Sequence, residues 1–346
     1  MNTIERKYYN YDERKKIKKI WKENDVVLEP LKDKTIAIIG YGIQGQAQAC
    51  NLKDSGINVI IGLRHNSSSR KFAIKDGHKT MTISQAAKEG NIIYILIPDM
   101  EQEKVYKNNI EPYLSENKIL CFSHGASIHC NWIIPPPFVD VIMIAPKGPG
   151  EMVRKLFVKG FGIPSLVAVH QDHSQKALEI ALAISKGIGS TKAGAIITNF
   201  KEEVETDWFG EQVDLCGGVH SMIVNAFDTL VEAGYQPEIS YFECLHELKL
   251  TVDLIFYKGL TGMYNGVSEI AKYGGFTRGD KIVDGNSKNR MKKILGEIQS
   301  GIFAQELKDM YTKDKNQLFN KYMKQIGNLQ IEKTGRELRE IIFKND

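Results

Sequence analysis

The sequence predicts an α/β chain in two parts, a doubly wound sheet domain followed by an all-helical domain. Three observations carry that expectation. Short apolar runs alternate with amphipathic stretches as far as about residue 200. A G-x-G-x-x-G at 40–45 stands between a β run and a helical pattern. Beyond Phe200 the strand signals stop and only helical periodicity continues.

The elements follow in order. Residues 1–27 read as an N-terminal extension, and the basic run ERKKIKKIWK at 13–22 as a solvated helix. Thr35–Gly40 (TIAIIG) is a continuous apolar run and hence a buried strand. A helix follows through QAQACNLKDSG, closed by Gly56. Asn58–Gly62 is the next strand, with others at 91–98, 118–122, 139–146 and 164–170. Strands separated by helical patterns imply βαβ units and a parallel sheet. The three prolines at 135–137 mark a rigid loop. Helices are expected at 207–216, 219–233, 238–258, 287–300, 302–311 and 315–326. The boundary falls near 198–200, giving a sheet domain over 28–198 and a helical domain over 199–346.

Composition narrows the function. The chain has 346 residues, 42% hydrophobic and 25% charged, as globular proteins do. A net charge of +4, spread along the chain, does not argue for nucleic acid. The five cysteines are odd in number and scattered, with no CxxC, so free thiols in a reducing compartment are expected. No apolar run is long enough to span a bilayer. The expected location is the cytoplasm.

Gly40, Tyr41, Gly42, Ile43, Gln44 and Gly45 form the fingerprint, at the end of one strand and the start of a helix. Glycines there allow a tight turn and close backbone approach to a pyrophosphate at the helix N-terminus, as in a Rossmann-type site. The second strand carries no acid for a ribose 2′-hydroxyl. It ends Gly62-Leu63-Arg64-His65-Asn66-Ser67-Ser68-Ser69-Arg70. Two arginines and three serines suit a 2′-phosphate, so NADP is expected over NAD.

Two acidic pairs, each spaced i, i+4, lie downstream: Asp207 with Glu211, and Glu243 with Glu247. That spacing puts both acids of a pair on one helix face. Oxygen-only ligands suit Mg²⁺. The second pair lies among Phe242, Leu245, Leu248, Leu250, Val252, Leu254, Ile255 and Phe256. A helix apolar almost all round is expected to be buried, its acids compensated by a cation. Two further groups sit at the carboxyl edge of the sheet. His124 follows strand 118–122, and Lys147 follows strand 139–146. His124 could act as acid or base, and Lys147 could relay a proton near a carboxylate such as Glu211.

Together GYGIQGQAQACNLKDSG, GLR, SHGASIH, VIMIAPKGPG, TDWFGEQVDLCGG, LVEAGYQPEISYFECLHELKL and AKYG resemble ketol-acid reductoisomerase in its short, class I form, from about residue 28 onward. The resemblance implies Mg²⁺-promoted alkyl migration in 2-acetolactate or 2-aceto-2-hydroxybutyrate. NADPH then reduces the product to a 2,3-dihydroxy acid, in branched-chain amino-acid synthesis. It also implies two Mg²⁺ on Asp207, Glu211, Glu243 and Glu247, an active-site His124, and Lys147 beside the metal centre. Glu211 would serve both metal and catalysis. Ser268 would meet the substrate carboxylate. Tyr41 to Gln44, Arg64, Ser67, Ser69, the turn of Asp99, Met100, Glu101 and Gln102, and Gly150 would line the NADP site. The helical domain would be knotted, and paired subunits, at least a homodimer, would complete each other's sites.

The chain departs from the family pattern at Ser123 (usually Ala), Ala126 (usually Phe), Cys130 (usually Tyr), Gly266 (usually Ser) and Gln46 (commonly His). None is a metal ligand. Ala126 and Cys130 adjoin the histidine and bear on cofactor packing and turnover. Two other functions compete: an NADPH-dependent 2-keto acid reductase without isomerisation, and a non-catalytic NADP-binding protein.

Overall fold

The computed structural model describes residues 20–342. One nine-stranded sheet organises the first part. Its strands are β1 (Ile20–Trp21), β2 (Thr35–Ile39), β3 (Asn58–Leu63), β4 (Lys79–Thr82), β5 (Ile92–Ile95), β6 (Ile119–Phe122), β7 (Asp140–Pro146), β8 (Ser165–Gln171) and β9 (Ala195–Ile197). The spatial order is β1-β9-β8-β7-β6-β5-β2-β3-β4. From β4 to β7 every pairing is parallel. The strand order reverses between β2 and β5, the switch point where doubly wound sheets bind ligands.

Helices cover both faces of the sheet: α1 (Ile43–Asp54), α2 (Arg70–Lys75), α3 (Ile83–Glu89), α4 (Asp99–Val105), α5 (Ala126–His129), α6 (Gly150–Val158) and α7 (Ala177–Gly187). Alternation along the strands divides the core. Ile36 and Ile38 join Leu52 of α1 and Ile184 of α7, while Ala37 and Ile39 join Ala86 of α3 on the other face. Gly56 closes α1 with φ +80, and Ile57 N–H reaches back to Leu52 O at 3.1 Å.

The sheet is not wholly parallel as expected: β7 and β8 run antiparallel. Lys147 N–H donates to Pro164 O, so the chain re-enters beside the end of β7 and can only run back. Strand β4 (KTMT) is short and carries little apolar signal, and β9 (AII) is apolar but only three residues long, so neither is read from the sequence. The basic run at 13–22 lies outside the described residues up to Lys19. Its end, Ile20–Trp21, is a strand on β9 rather than the expected helix.

The second part is helical: α8 (Phe200–Gly210), α9 (Gly217–Glu232), α10 (Pro237–Tyr241), α11 (Glu247–Asn265), α12 (Glu269–Ile282), α13 (Gly285–Gln299), α14 (Ile302–Lys313), α15 (Lys315–Asn328) and α16 (Gln330–Ile342). Single π-helical turns, Glu211–Leu215 and Phe242–His246, follow α8 and α10. Helices α12 and α16 were not anticipated. The chain separates into two compact units between Val204 and Glu205, within α8. In the second, Trp208 stacks edge-on against Phe303, and Phe227 is fully buried. Helix α11 is not buried as its composition led us to expect. Leu250, Val252, Phe256, Tyr257 and Leu260 are all exposed. Its apolar surface exceeds what this segment can cover by itself.

Candidate active site

The nucleotide end of the site grows out of β2. Gly40 has φ +103, and a Cβ there would lie 2.7 Å from Leu96 O. A Cβ on Gly45 would lie 2.8 Å from Gly40 O. Only glycine lets strand, turn and helix meet this closely. Gly42 is the N-cap of α1, and no side chain caps it. The first-turn N–H groups therefore face the carboxyl edge of the sheet, a setting that suits a pyrophosphate. Gly150 closes over the same turn, since its Cβ would lie 2.7 Å from Ile43 O.

Side chains around the turn have different jobs. Tyr41 is buried, and its hydroxyl donates to Asp76 Oδ2 at 2.7 Å. Ile43 is exposed above the turn. Arg70 donates to Thr80 Oγ1 at 3.1 Å and Arg64 O at 3.3 Å, so it braces the loop. Arg64 is exposed at the end of β3, and Ser69 caps α2 at the far side of that loop. One cationic and several hydroxyl groups thus remain where a 2′-phosphate would lie, and the residues fit NADP. In the 99–102 turn Gln102 is buried. It donates to Ile97 O and Asp99 Oδ1 and accepts from Ser127 Oγ, which ties α4 to α5.

A second cluster joins three elements. His124 follows β6, Lys147 follows β7, and Glu203 projects from the first turn of α8. Glu203 Oε2 lies 3.1 Å from His124 Nδ1 and accepts Gly125 N–H at 2.9 Å. Lys147 Nζ donates to Glu203 Oε1 at 3.1 Å. The carboxylate is almost fully buried, at 1% exposure. Burial works to raise its pKa. The hydrogen bond with His124, the charges of His124 and Lys147 and the Gly125 N–H outweigh that, holding it below the usual carboxylate value. An ionised carboxylate only accepts, so Nδ1 carries the proton toward Glu203. Gly125 allows the approach: a Cβ there would lie 3.1 Å from Phe200 O.

The sequence offers Glu211 as the carboxylate near Lys147, whereas the structure places Glu203 there. The signal was present, because the four-residue step of Asp207 and Glu211 extends back to Glu203. What hid it was that a single acid in FKEEVETD looks like a solvated helix face.

The four expected ligands lie in the helical unit. Asp207 is on α8 and half-buried, while Glu211 opens the first π turn and is exposed. Glu243 is inside the second π turn and Glu247 opens α11, both exposed rather than buried. The first pair thus ends where one widened turn begins, and the second spans most of the other. In the first, Cys216 N–H bonds Glu211 O across five residues. The donor set is all carboxylate oxygen, which fits a hard divalent cation. Ser268 is the N-cap of α12, its hydroxyl accepting from Ala271 N–H at 3.2 Å.

Comparison with known proteins decides the family. The model of the acetohydroxy acid isomeroreductase NADPH-binding domain matches residues 30–194. That of the ketol-acid reductoisomerase C-terminal domain matches residues 200–343. The chain belongs to the ketol-acid reductoisomerase family. It is an NADP-dependent oxidoreductase. Ketol-acid reductoisomerase (NADP(+)) of Nitrosopumilus maritimus is 58% identical over 93% of this chain and 97% of its own. That of Cenarchaeum symbiosum is 54% identical over 94% and 98%. The structure of an NADH-preferring ketol-acid reductoisomerase from an uncultured archean is 44% identical, with TM-score 0.91 over 94% of this chain and 99% of that one. A semialdehyde dehydrogenase NAD-binding protein from Cupriavidus necator shares the fold alone, at 16% identity and TM-score 0.55, over 76% of this chain and 99% of that one. In this reductoisomerase, no helix among the described residues is long and apolar enough to cross a membrane.

Proposed function

We propose that this reductoisomerase converts 2-acetolactate and 2-aceto-2-hydroxybutyrate to 2,3-dihydroxy acids for branched-chain amino-acid synthesis, in the cytoplasm. Residues 28–198 serve as the NADP domain and 199–346 as the metal and substrate domain. Asp207, Glu211, Glu243 and Glu247 hold two Mg²⁺, in a knotted helical domain completed by a second subunit. The observation that carries the reading is the buried Glu203, which gathers His124 and Lys147 at the carboxyl edge beside the fingerprint.

Bound Mg²⁺ supplies Lewis acidity to the substrate oxygens, and NADPH supplies the hydride. The chain's own groups do the rest. The Gly40–Gly45 turn, Gly150 and Arg64 orient the cofactor, with Ser67, Ser69 and the Asp99–Gln102 turn around it. Glu203 fixes the His124 tautomer and holds Lys147 Nζ by a hydrogen bond, so that Nζ and Nε2 can each hold or pass a proton at the substrate. Ser268 donates its hydroxyl to the substrate carboxylate.

The test is NADPH oxidation with 2-acetolactate, with and without Mg²⁺, beside Glu247→Gln. Mg²⁺-dependent oxidation that the variant loses supports the reading. NADPH binding with no turnover in either protein sinks it.

A further inference from the structure

Beneath the nucleotide turn lies a layer of buried polar groups that the chemistry above does not use. Tyr94 is fully buried in β5, between β2 and β6. Its hydroxyl donates to Gln48 Oε1 at 2.6 Å, and lies 2.8 Å from Ser123 Oγ and 3.0 Å from Ile144 O. Gln48 of α1 is also fully buried. Its Nε2 donates to Gln44 Oε1 at 3.1 Å and to Ser123 Oγ at 3.0 Å. Gln44 Nε2 then donates to Gly148 O at 3.0 Å.

The chain of bonds has a direction. Tyr94 owns one proton, and its nearest acceptor is Gln48 Oε1. That sets the Gln48 amide with oxygen toward Tyr94 and nitrogen toward Gln44. Gln44 must then present oxygen to Gln48 and nitrogen to Gly148 O. Flipping Gln48 would flip Gln44 and set two acceptors face to face at Gly148. Burial raises the Tyr94 phenol well above its usual pKa, so it stays protonated. A buried amide without partners costs enough to hold this arrangement.

We propose that Tyr94 and Gln48 are positioning residues that lock the Gln44 amide onto Gly148 O, and so set the Lys147 loop against the phosphate-binding turn. Lys147 is the residue before Gly148. Two residues further on, Gly150 packs on Ile43 and Gln44 with no room for a Cβ: one there would lie 2.9 Å from Gln44 N. Loop and turn therefore shift together, and a slip would move both the N–H groups at the pyrophosphate and the Lys147 ammonium. The inference rests on the cofactor placement above.

A double-mutant cycle tests it, with the NADPH dissociation constant read by fluorescence titration without metal or substrate, and kcat read separately. Failure of the unmutated protein to bind NADPH would overturn the cofactor placement itself, apart from the network. Given binding, Tyr94→Phe is expected to raise the dissociation constant and lower kcat, each by about three- to tenfold, the worth of one hydrogen bond. In a Gln44→Leu background the same change is expected to do nothing more, because the lock is already open. If Gln44→Leu does not fold, Gln48→Met takes its place with the same expectation. Effects that multiply across the cycle overturn the proposal. So does a Tyr94→Phe protein that melts earlier while its NADPH affinity and kcat stay unchanged.

Discussion

The sheet unit and the helical unit treat the same kind of side chain in opposite ways. Ile36, Ile38, Ile61 and Ile92 of the sheet have no exposed surface at all. In the helical unit Phe256 and Tyr257 are each 79% exposed, and Ile270 is 86% exposed. The first unit encloses its own core on both faces of the sheet, and its cluster of Glu203, His124 and Lys147 is held by direct bonds. The second carries the carboxylate pairs on helices whose apolar surface is unfinished. Monomeric proteins rarely expose apolar area on that scale. On the function proposed above, the first unit would hold a preformed cofactor and proton-handling site, and the second would bind metal once a second copy covers its apolar surface.

The strongest attack on the preformed half is Glu203→Gln. It keeps the shape and removes the charge that His124 and Lys147 share. A fall in kcat of about 10²-fold or more is expected, with NADPH binding kept. A near-normal rate would show that Glu203 only fills space.

Two substitutions then set the halves against each other. Ile38→Ala opens the sheet core and is expected to cost about 2–5 kcal/mol in urea unfolding, whatever the protein concentration. Phe256→Asp is expected to cost the sheet unit nothing. Instead it should move the protein from dimer to monomer in sedimentation velocity and reduce turnover at least tenfold, while NADPH affinity holds. A Phe256→Asp protein that sediments and turns over normally would break the comparison.

How far the sequence discloses each half follows the same line. The parallel strands from β2 to β7 mostly announce themselves, because burial on both faces demands unbroken apolar runs such as TIAII and IIYI. The fingerprint is equally plain, since close backbone approach at Gly40 and Gly45 excludes every residue but glycine. The reversal of β8 is hidden, because it depends on where the chain re-enters beside Pro146 and not on composition. In the helical unit the acidic pairs are visible through their four-residue spacing, yet the π turns beside them are not, since one extra residue in a turn leaves no compositional trace. Burial of α11 was misjudged for a plain reason: apolar composition says that a surface will be covered, not that this chain covers it. Glu203 shows the converse, a charged residue whose burial is set wholly by partners brought from β6 and β7.

A smaller effect sharpens the cofactor side. Arg64 is the cation left over at the end of β3 once Arg70 is committed to Thr80 and Arg64 O. Arg64→Ala should lower the preference for NADPH over NADH by about tenfold in kcat/KM, the scale of one charge-assisted hydrogen bond. An unchanged ratio would move the 2′-phosphate contact to the serines.

The gentlest test concerns the edge of the preformed unit, where Tyr41, Cys50, Asp76 and His78 pack together. His78 is buried, with Nε2 3.7 Å from Cys50 Sγ and Nδ1 lacking a hydrogen-bond partner among the described residues. Burial, then the charge of Lys53, lowers its pKa, against the opposing pull of Asp76 and Asp54. The folded protein therefore holds His78 neutral where the unfolded chain would take up a proton. Its contribution to stability is complete above the unfolded value, about pH 6.5, and is lost as pH falls toward the lower folded value. The slope in that window cannot exceed about 1.4 kcal/mol per pH unit for one proton. Urea melts of the unmutated protein and of His78→Gln, followed from about pH 7.5 down to about pH 5, should converge at the acid end, since only the first carries this term. Parallel pH profiles would mean that the imidazole takes its proton without cost, and that this edge of the sheet unit is as open to water as the surface of α11.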